Sequence, residues 1–338
     1  LDAREPAELI ELQQLLDGAS PQLQVRSVCE VESGGRRLPV LALSLGNPAP
    51  DVPAAGFFGG VHGLERIGAA VVLCFLRSVL TRLRWDALLQ QQLERMRLVF
   101  MPVVNPGGLL AGTRANPQGV DLMRNAPADA LEPVAPLVGG QRLTRRLPWY
   151  RGPRHAPLQP ESQALCAVVE RELLSHEFSL AVDCHSGFGL CDRLWFPYAG
   201  TRAPVPHLPE LHALSGLLDD ALPRHRYVFE PQSRHYLAHG DLWDFLYRRA
   251  CAEPGRTFLP LTLEMGSWLW VRKNPRQLLS AQGLFNPLPD HRHARVLRRH
   301  LAWLELAARA AFSHHAWRPA GAERERQLHL ALRRWYAA

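Results

Sequence analysis

Lysine is almost missing: Lys273 is the only one in a 338-residue chain that carries 39 basic residues. The positive charge is therefore nearly all arginine, and against 32 acidic residues it leaves a formal net charge of +7. Scattered among acids along the whole chain, these arginines read as a compositional preference, although their planar forks also suit carboxylate and phosphate groups. The densest basic stretch, HRHARVLRRH (291–300), sets Ala294, Val296, Leu297 and Leu301 at helical spacing, so it reads as a solvated helix face. With no reading motif beside it, no nucleic-acid partner is expected. The six cysteines form no CxxC pair and no small-domain framework, and are expected as reduced, mostly buried thiols. No apolar run reaches the ~18 residues of a bilayer span, so no membrane partner is expected. LDAREPAELIELQQ lacks the basic start and apolar core of a secretory leader, which makes the expected location cytoplasmic provided no leader has been removed. Internal repeats and long linkers are absent as well, and the oligomeric state is not legible.

What the chain does have is punctuation. With 47% hydrophobic and 21% charged residues it is a folded chain, and 28 prolines imply many defined loops. EPAELIELQQLLD (5–17) has helical spacing, LQVRSVCEVE (22–31) alternates like a strand, and RRLPVLALSLG (36–46) returns from the SGG turn. Pro39 predicts an edge or an irregularity there. Buried strands are expected in AAGFFGGVHG (54–63), RMRLVFMPVVNPGG (95–108), FSLAVDCHSG (178–187) and RTFLPLTLEMGS (256–267). Helices fit 65–80, 161–174, 207–222, 240–251, 288–312 and 321–336. The alternation predicts a single α/β domain over 1–338, with a mixed, mainly parallel twisted sheet flanked by helices and the C-terminal helices 288–336 packed on it. The Pro- and Arg-rich segment 126–160 is expected as an ordered surface loop near the site.

Three of the apolar strands deliver ionisable residues at their carboxyl ends, where open α/β sheets gather ligands. These are His62 with Glu65, His185, and Glu264. A hydrolytic zinc takes three ligands from His, Asp or Glu and leaves a fourth position for water, a set that His62, Glu65 and His185 would supply. A further carboxylate must then move the proton, and Glu264, closing the hydrophobic run LPLTLE, is the candidate. Taken singly, each has an ordinary reading: a turn histidine, a first-turn acid facing the helix dipole, a strand-end histidine, a partner for an arginine. Their joint placement on three strand ends, with NPGG…TRANPQGVDLMRN between them, favours the site.

The order GGVHGLE, VNPGG, TRANPQGVDLMRN, VDCHSG, HYLAHGDLWDFLY, LTLEMGS resembles the zinc carboxypeptidases of the M14 type, the funnelin fold, most strongly over residues 55–270. The resemblance implies one zinc per chain on His62, Glu65 and His185, with Glu264 as general base. It implies that Asp121 orients the first metal histidine, that Arg114 polarises the scissile carbonyl, and that Arg124 clamps the substrate's terminal carboxylate. Tyr236 falls at the tyrosine that closes over substrate, since Gly240, Asp244 and Tyr247 repeat the family's offsets after it.

Two positions depart from the pattern. The family's Asn-Arg pair is Met123-Arg124 here, and a thioether donates no hydrogen bond. Asn125 is the nearest amide that could replace it. Trp243 falls where family members line the side-chain pocket, which argues against a deep one. HGLE also resembles the motif of succinylglutamate desuccinylase and aspartoacylase, related enzymes of the broader fold. The expected function is a metallocarboxypeptidase-like hydrolase acting on a peptide or amide bond beside a carboxylate. The alternatives are an N-acyl amino-acid amidohydrolase and a non-catalytic zinc-binding protein of the same fold. The corresponding substrates are a peptide or an acyl amino acid.

Overall fold

The four continuous apolar runs form the centre of one eight-stranded sheet in the computed structural model, which describes residues 5–337. The strands are β1 (Gln24–Ser33), β2 (Arg36–Gly46), β3 (Ala54–Gly59), β4 (Arg97–Met101), β5 (Phe178–Ser186), β6 (Arg193–Phe196), β7 (Val228–Pro231) and β8 (Thr257–Met265). Their order in the sheet is β1-β2-β4-β3-β5-β8-β6-β7. The central block β4-β3-β5-β8 is parallel throughout, while β1, β2 and β6 join antiparallel. Every residue of β3, β4 and β5 is buried, as parallel strands covered on both faces require.

The helices are α1 (Ala7–Asp17), α2 (Arg66–Arg82), α3 (Ala87–Leu93), α4 (Pro106–Ala111), α5 (Pro160–Glu172), α6 (Leu208–Ala221), α7 (Leu242–Cys251), α8 (Trp268–Lys273), α9 (Asp290–Phe312), α10 (His314–Trp317) and α11 (Gly321–Trp335). α2 and α9 pack on each other and on β3 and β5; α5 and α7 pack on each other, with α7 against β8. HRHARVLRRH opens α9, as its spacing predicts, and the same helix buries Trp303, Leu304, Ala307 and Ala311 further along. α11 packs on α6, and the Trp335 indole donates to the Phe229 carbonyl (2.8 Å), tying the C-terminal helix to the edge strand β7.

Pro39 pairs with Glu30 of β1, on a stretch where β2 has no second neighbour, because β4 joins β2 only from Leu43 to Gly46. β2 is thus an edge at that point, where a residue without an N–H is tolerated, and the register shift between Ser27 and Cys29 lies close by. β6 and β7 escape sequence reading because four residues are too few to show a period. No helix among the described residues is long and apolar enough to cross a membrane. All six cysteines are free; Cys166 and Cys184 are buried and the other four half-buried. Burial pushes the Cys166 thiol up to about 12, which keeps it protonated and unreactive.

Candidate functional site

The carboxyl end of β3 is shaped by its contact with the turn after β4. Gly60 takes a positive φ of 62°, turning the chain out of the sheet toward His62. The backbone N–H groups of Val104 and Asn105 donate to the carbonyls of Gly59 and Gly60 (3.0 and 2.9 Å). The Asn105 side chain donates to the Val61 carbonyl (3.3 Å) and caps α4 by accepting from Gly108 N–H (2.8 Å). VNPGG thus serves as the mould for HGLE. Glu65 stands at the start of α2, yet its carboxylate does not cap the helix. It turns instead toward two histidines.

His62 Nδ1 lies 2.9 Å from Glu65 Oε1, His185 Nδ1 lies 3.1 Å from Glu65 Oε2, and the two Nδ1 atoms are 3.3 Å apart. Among the described residues this is the one His/Cys/Asp/Glu cluster that could hold a metal ion, and all three members are buried. Each ring is anchored at its far nitrogen: His62 Nε2 by Asp121 (3.1 Å) and His185 Nε2 by Asp183 (2.6 Å). That arrangement fits zinc, whose histidine ligands hold their other nitrogen against a carboxylate, so that one lone pair faces the ion. Burial opposes the charge on Glu65, but His62 and His185 hold its carboxyl well below the usual range. Burial likewise opposes a charged His185, and Asp183 and Glu65 outweigh it and raise its pKa. The negative potential that favours a proton at Nδ1 favours a metal cation equally.

A cavity of about 960 Å³ opens over this cluster and is lined by Glu264, Arg114, Arg124, Met123 and Tyr236, among others. Glu264 is in register with His185 across the β5–β8 pairing, and its carboxylate has no hydrogen bond among the described residues. Burial, then the charge of Glu65, pushes Glu264 up to about 8; a cation on Glu65 would offset that second contribution. Arg114 is held by Asp121 (Nε, 2.8 Å) and Glu65 (Nη1, 3.1 Å), leaving Nη2 free to donate. Arg124 is buried, and its Nη2 donates to the Tyr236 hydroxyl at 3.4 Å. Arg145, Arg146 and Trp149, from the segment 126–160, line the wall of the cavity.

Two expectations need correction. Asn125 does not reach the cavity: its amide donates to the Arg151 carbonyl (3.0 Å) and its oxygen accepts from Gln159 N–H (2.6 Å). Both ends of the side chain are engaged in backbone contacts, so it does not replace the missing amide at Met123. Trp243 lines no part of the cavity either. It packs edge-on against Phe58, with ring centroids 5.1 Å apart, and its indole N–H donates to Asp183 Oδ2 (2.8 Å). Trp243 therefore holds the carboxylate that holds His185. Replacing it with Phe should weaken zinc binding by about ten-fold, read by competition with a chelator; an unchanged affinity would show that Asp183 keeps its place unaided.

Sequence reading missed Asp183 and Asp241. Asp183 had a signal, because a D-x-H spacing on a strand puts both side chains on one face. Asp241 lines the cavity and caps α7 through Oδ1, which accepts from Trp243 and Asp244 N–H (both 3.0 Å). Its Oδ2 is buried without a hydrogen bond, 3.9 Å from Arg124. Burial raises its pKa, and Arg124 opposes the rise.

The zinc carboxypeptidase family model matches residues 25–267. Carboxypeptidase SOL1 of Arabidopsis thaliana is 35% identical over 75 residues, covering 22% of this chain and 15% of that protein. Carboxypeptidase D of Anas platyrhynchos is 25% identical over 147 residues, covering 41% of this chain and 9% of that protein. The matched part of this chain is thus a small fraction of both relatives' length. Among solved structures, carboxypeptidase A from Helicoverpa armigera superposes with a TM-score of 0.64 at 16% identity, covering 90% of this chain and 71% of that one, which shows the shared fold.

Proposed function

The chain belongs to the zinc carboxypeptidase family, and from that premise we propose that it is a zinc-dependent hydrolase cleaving a peptide or amide bond next to a carboxylate-bearing residue. The observation that carries the reading is the convergence of His62 Nδ1, His185 Nδ1 and Glu65 beside an unpartnered Glu264, in one cavity with Arg114 and Arg124. His62, Glu65 and His185 would hold the ion, which when bound acidifies water and polarises a carbonyl. Glu264 accepts the proton from the attacking water and returns it to the departing amine. Arg114, fixed by Asp121 and Glu65, offers its remaining N–H groups to the oxyanion. Arg124 pairs with the substrate's carboxylate in a buried setting, where such a pair is strong. Met123 contributes only a thioether to the same wall, so the carboxylate rests on Arg124 with Tyr236 beside it.

The test is elemental mass spectrometry followed by turnover of a panel of peptides with free and amidated C-termini and of N-acyl amino acids. The expected result is about one zinc per chain, cleavage of free-acid peptides, no cleavage of amidated ones, and loss of activity on chelation that zinc restores. Turnover of N-acyl amino acids alone would move the assignment to an amidohydrolase. Bound zinc with no turnover anywhere in the panel would leave a zinc-binding protein of this fold.

A further inference from the structure

A second cavity, of about 610 Å³, lies on the far side of the turn that carries Arg124 and is lined by Asn125. Its charge is lopsided: Arg142, Arg151, Arg154, His155 and His239 face it, with Asp129 the one carboxylate among its lining residues. Arg151 is the centre of the cluster. It is only 5% exposed, its Nη1 pairs with Asp129 (2.7 Å), and its Nε donates to the Arg124 carbonyl (3.2 Å). Its Nη2 is buried with no partner at all. A buried guanidinium N–H without an acceptor is a costly feature, and it leaves part of the Arg151 charge without a local counterpart.

The neighbours do not relieve it. Asp129 is largely exposed and shares its charge with water. Arg142 donates to the carbonyls of Gly152 and Pro153 (2.7 and 2.9 Å), which frames the loop and leaves its positive charge in place. Arg154 is exposed and enters no ion pair among the described residues. His239 accepts the Ala130 N–H at Nδ1 (3.0 Å), so its ring proton sits on Nε2 as one more donor. Burial and then the Arg151 charge lower its pKa, which keeps it neutral near pH 7. Three guanidinium groups against one carboxylate leave an excess of two positive charges and a surplus of donors.

We propose that this cavity is an anion site, separate from the hydrolytic one, that takes a doubly charged oxyanion of the phosphate type. Guanidinium forks match the oxygens of such a group, and a charge of −2 balances the excess. Because Arg151 also grips the Arg124 carbonyl, and Asn125 grips the Arg151 carbonyl, the occupied site braces the turn that presents Arg124 to the cavity on the other side.

The experiment is calorimetric titration of the zinc-loaded protein with inorganic phosphate and with glycerol phosphate, at fixed ionic strength set by chloride. The expected result is saturable binding of one anion per chain, weakened at least ten-fold in Arg154→Glu and lost in Arg151→Gln. Arg154 is exposed, so its variant keeps the test open if Arg151→Gln fails to fold. Tighter binding of the ester would identify a phosphorylated molecule as the occupant; equal binding would identify free phosphate. No saturable binding to the wild type, or equal affinities in the wild type and Arg154→Glu, would overturn the proposal.

Discussion

Glu264→Gln is expected to keep its zinc and lose turnover by roughly 10²–10⁴-fold, the range over which a positioned acid–base group acts. None of the metal-cluster contacts involves Glu264, so the cluster has no reason to come apart. The fold should not suffer either. The carboxylate is buried, makes no hydrogen bond among the described residues, and is pushed up to about 8 by burial and by Glu65. A neutral amide of the same shape removes that repulsion, so the melting temperature should hold or rise. Zinc content, melting temperature and kcat together separate the cases: retained turnover would remove Glu264 from the mechanism, and lost zinc would make it part of the metal cluster.

Gly63→Ala is expected to be among the most damaging single methyl groups near the site. A Cβ at Gly63 would fall on the Gly108 carbonyl carbon and the Leu109 nitrogen, well inside contact distance. Backbone on both sides cannot rotate away as a side chain could. The cost is about 3 kcal/mol or more, at the upper end of overpacking effects, which for a chain of 338 residues lowers the melting temperature by roughly 4 °C or more. Because residue 63 lies between His62 and Glu65, any relief pushes those two donors apart, and zinc affinity should fall with stability. Calorimetry and a zinc competition assay read both; a variant with wild-type melting and affinity would show that the HGLE and NPGG loops do not depend on this contact.

That contact explains why the site was readable from the chain. Glycines and Asn105 stand where two backbones touch, so the motifs record steric necessity as well as chemistry, and His62, Glu65, His185 and Glu264 follow from them. The misreadings came where chemistry is decided by side-chain direction. Trp243 lies at an offset that marks a pocket wall, but its indole turns inward to Asp183. Asn125 is adjacent to Arg124 in the chain, yet faces the second cavity, because the short helical turn Leu122–Arg124 carries it past the first. Asp241 caps α7, and only the three-dimensional structure shows that its other oxygen lies near Arg124. The central strands were legible from continuous hydrophobicity, whereas β6 and β7 were too short to leave a pattern.

The strand order sets a timetable for the protein's own assembly. β5 and β6 are joined by only the residues between Ser186 and Arg193, yet β8, some sixty residues further on, lies between them. The sheet must therefore hold that gap, or reopen it, until residues 257–265 arrive. A chain synthesised as far as residue 256 already contains all three metal donors, but its proton carrier, Glu264, has yet to be added. Under the proposed mechanism, a nascent chain could capture its ion before it could cut anything. Hydrolytic competence would be switched on by the insertion of a single strand, a late step of the kind that long-range pairings impose.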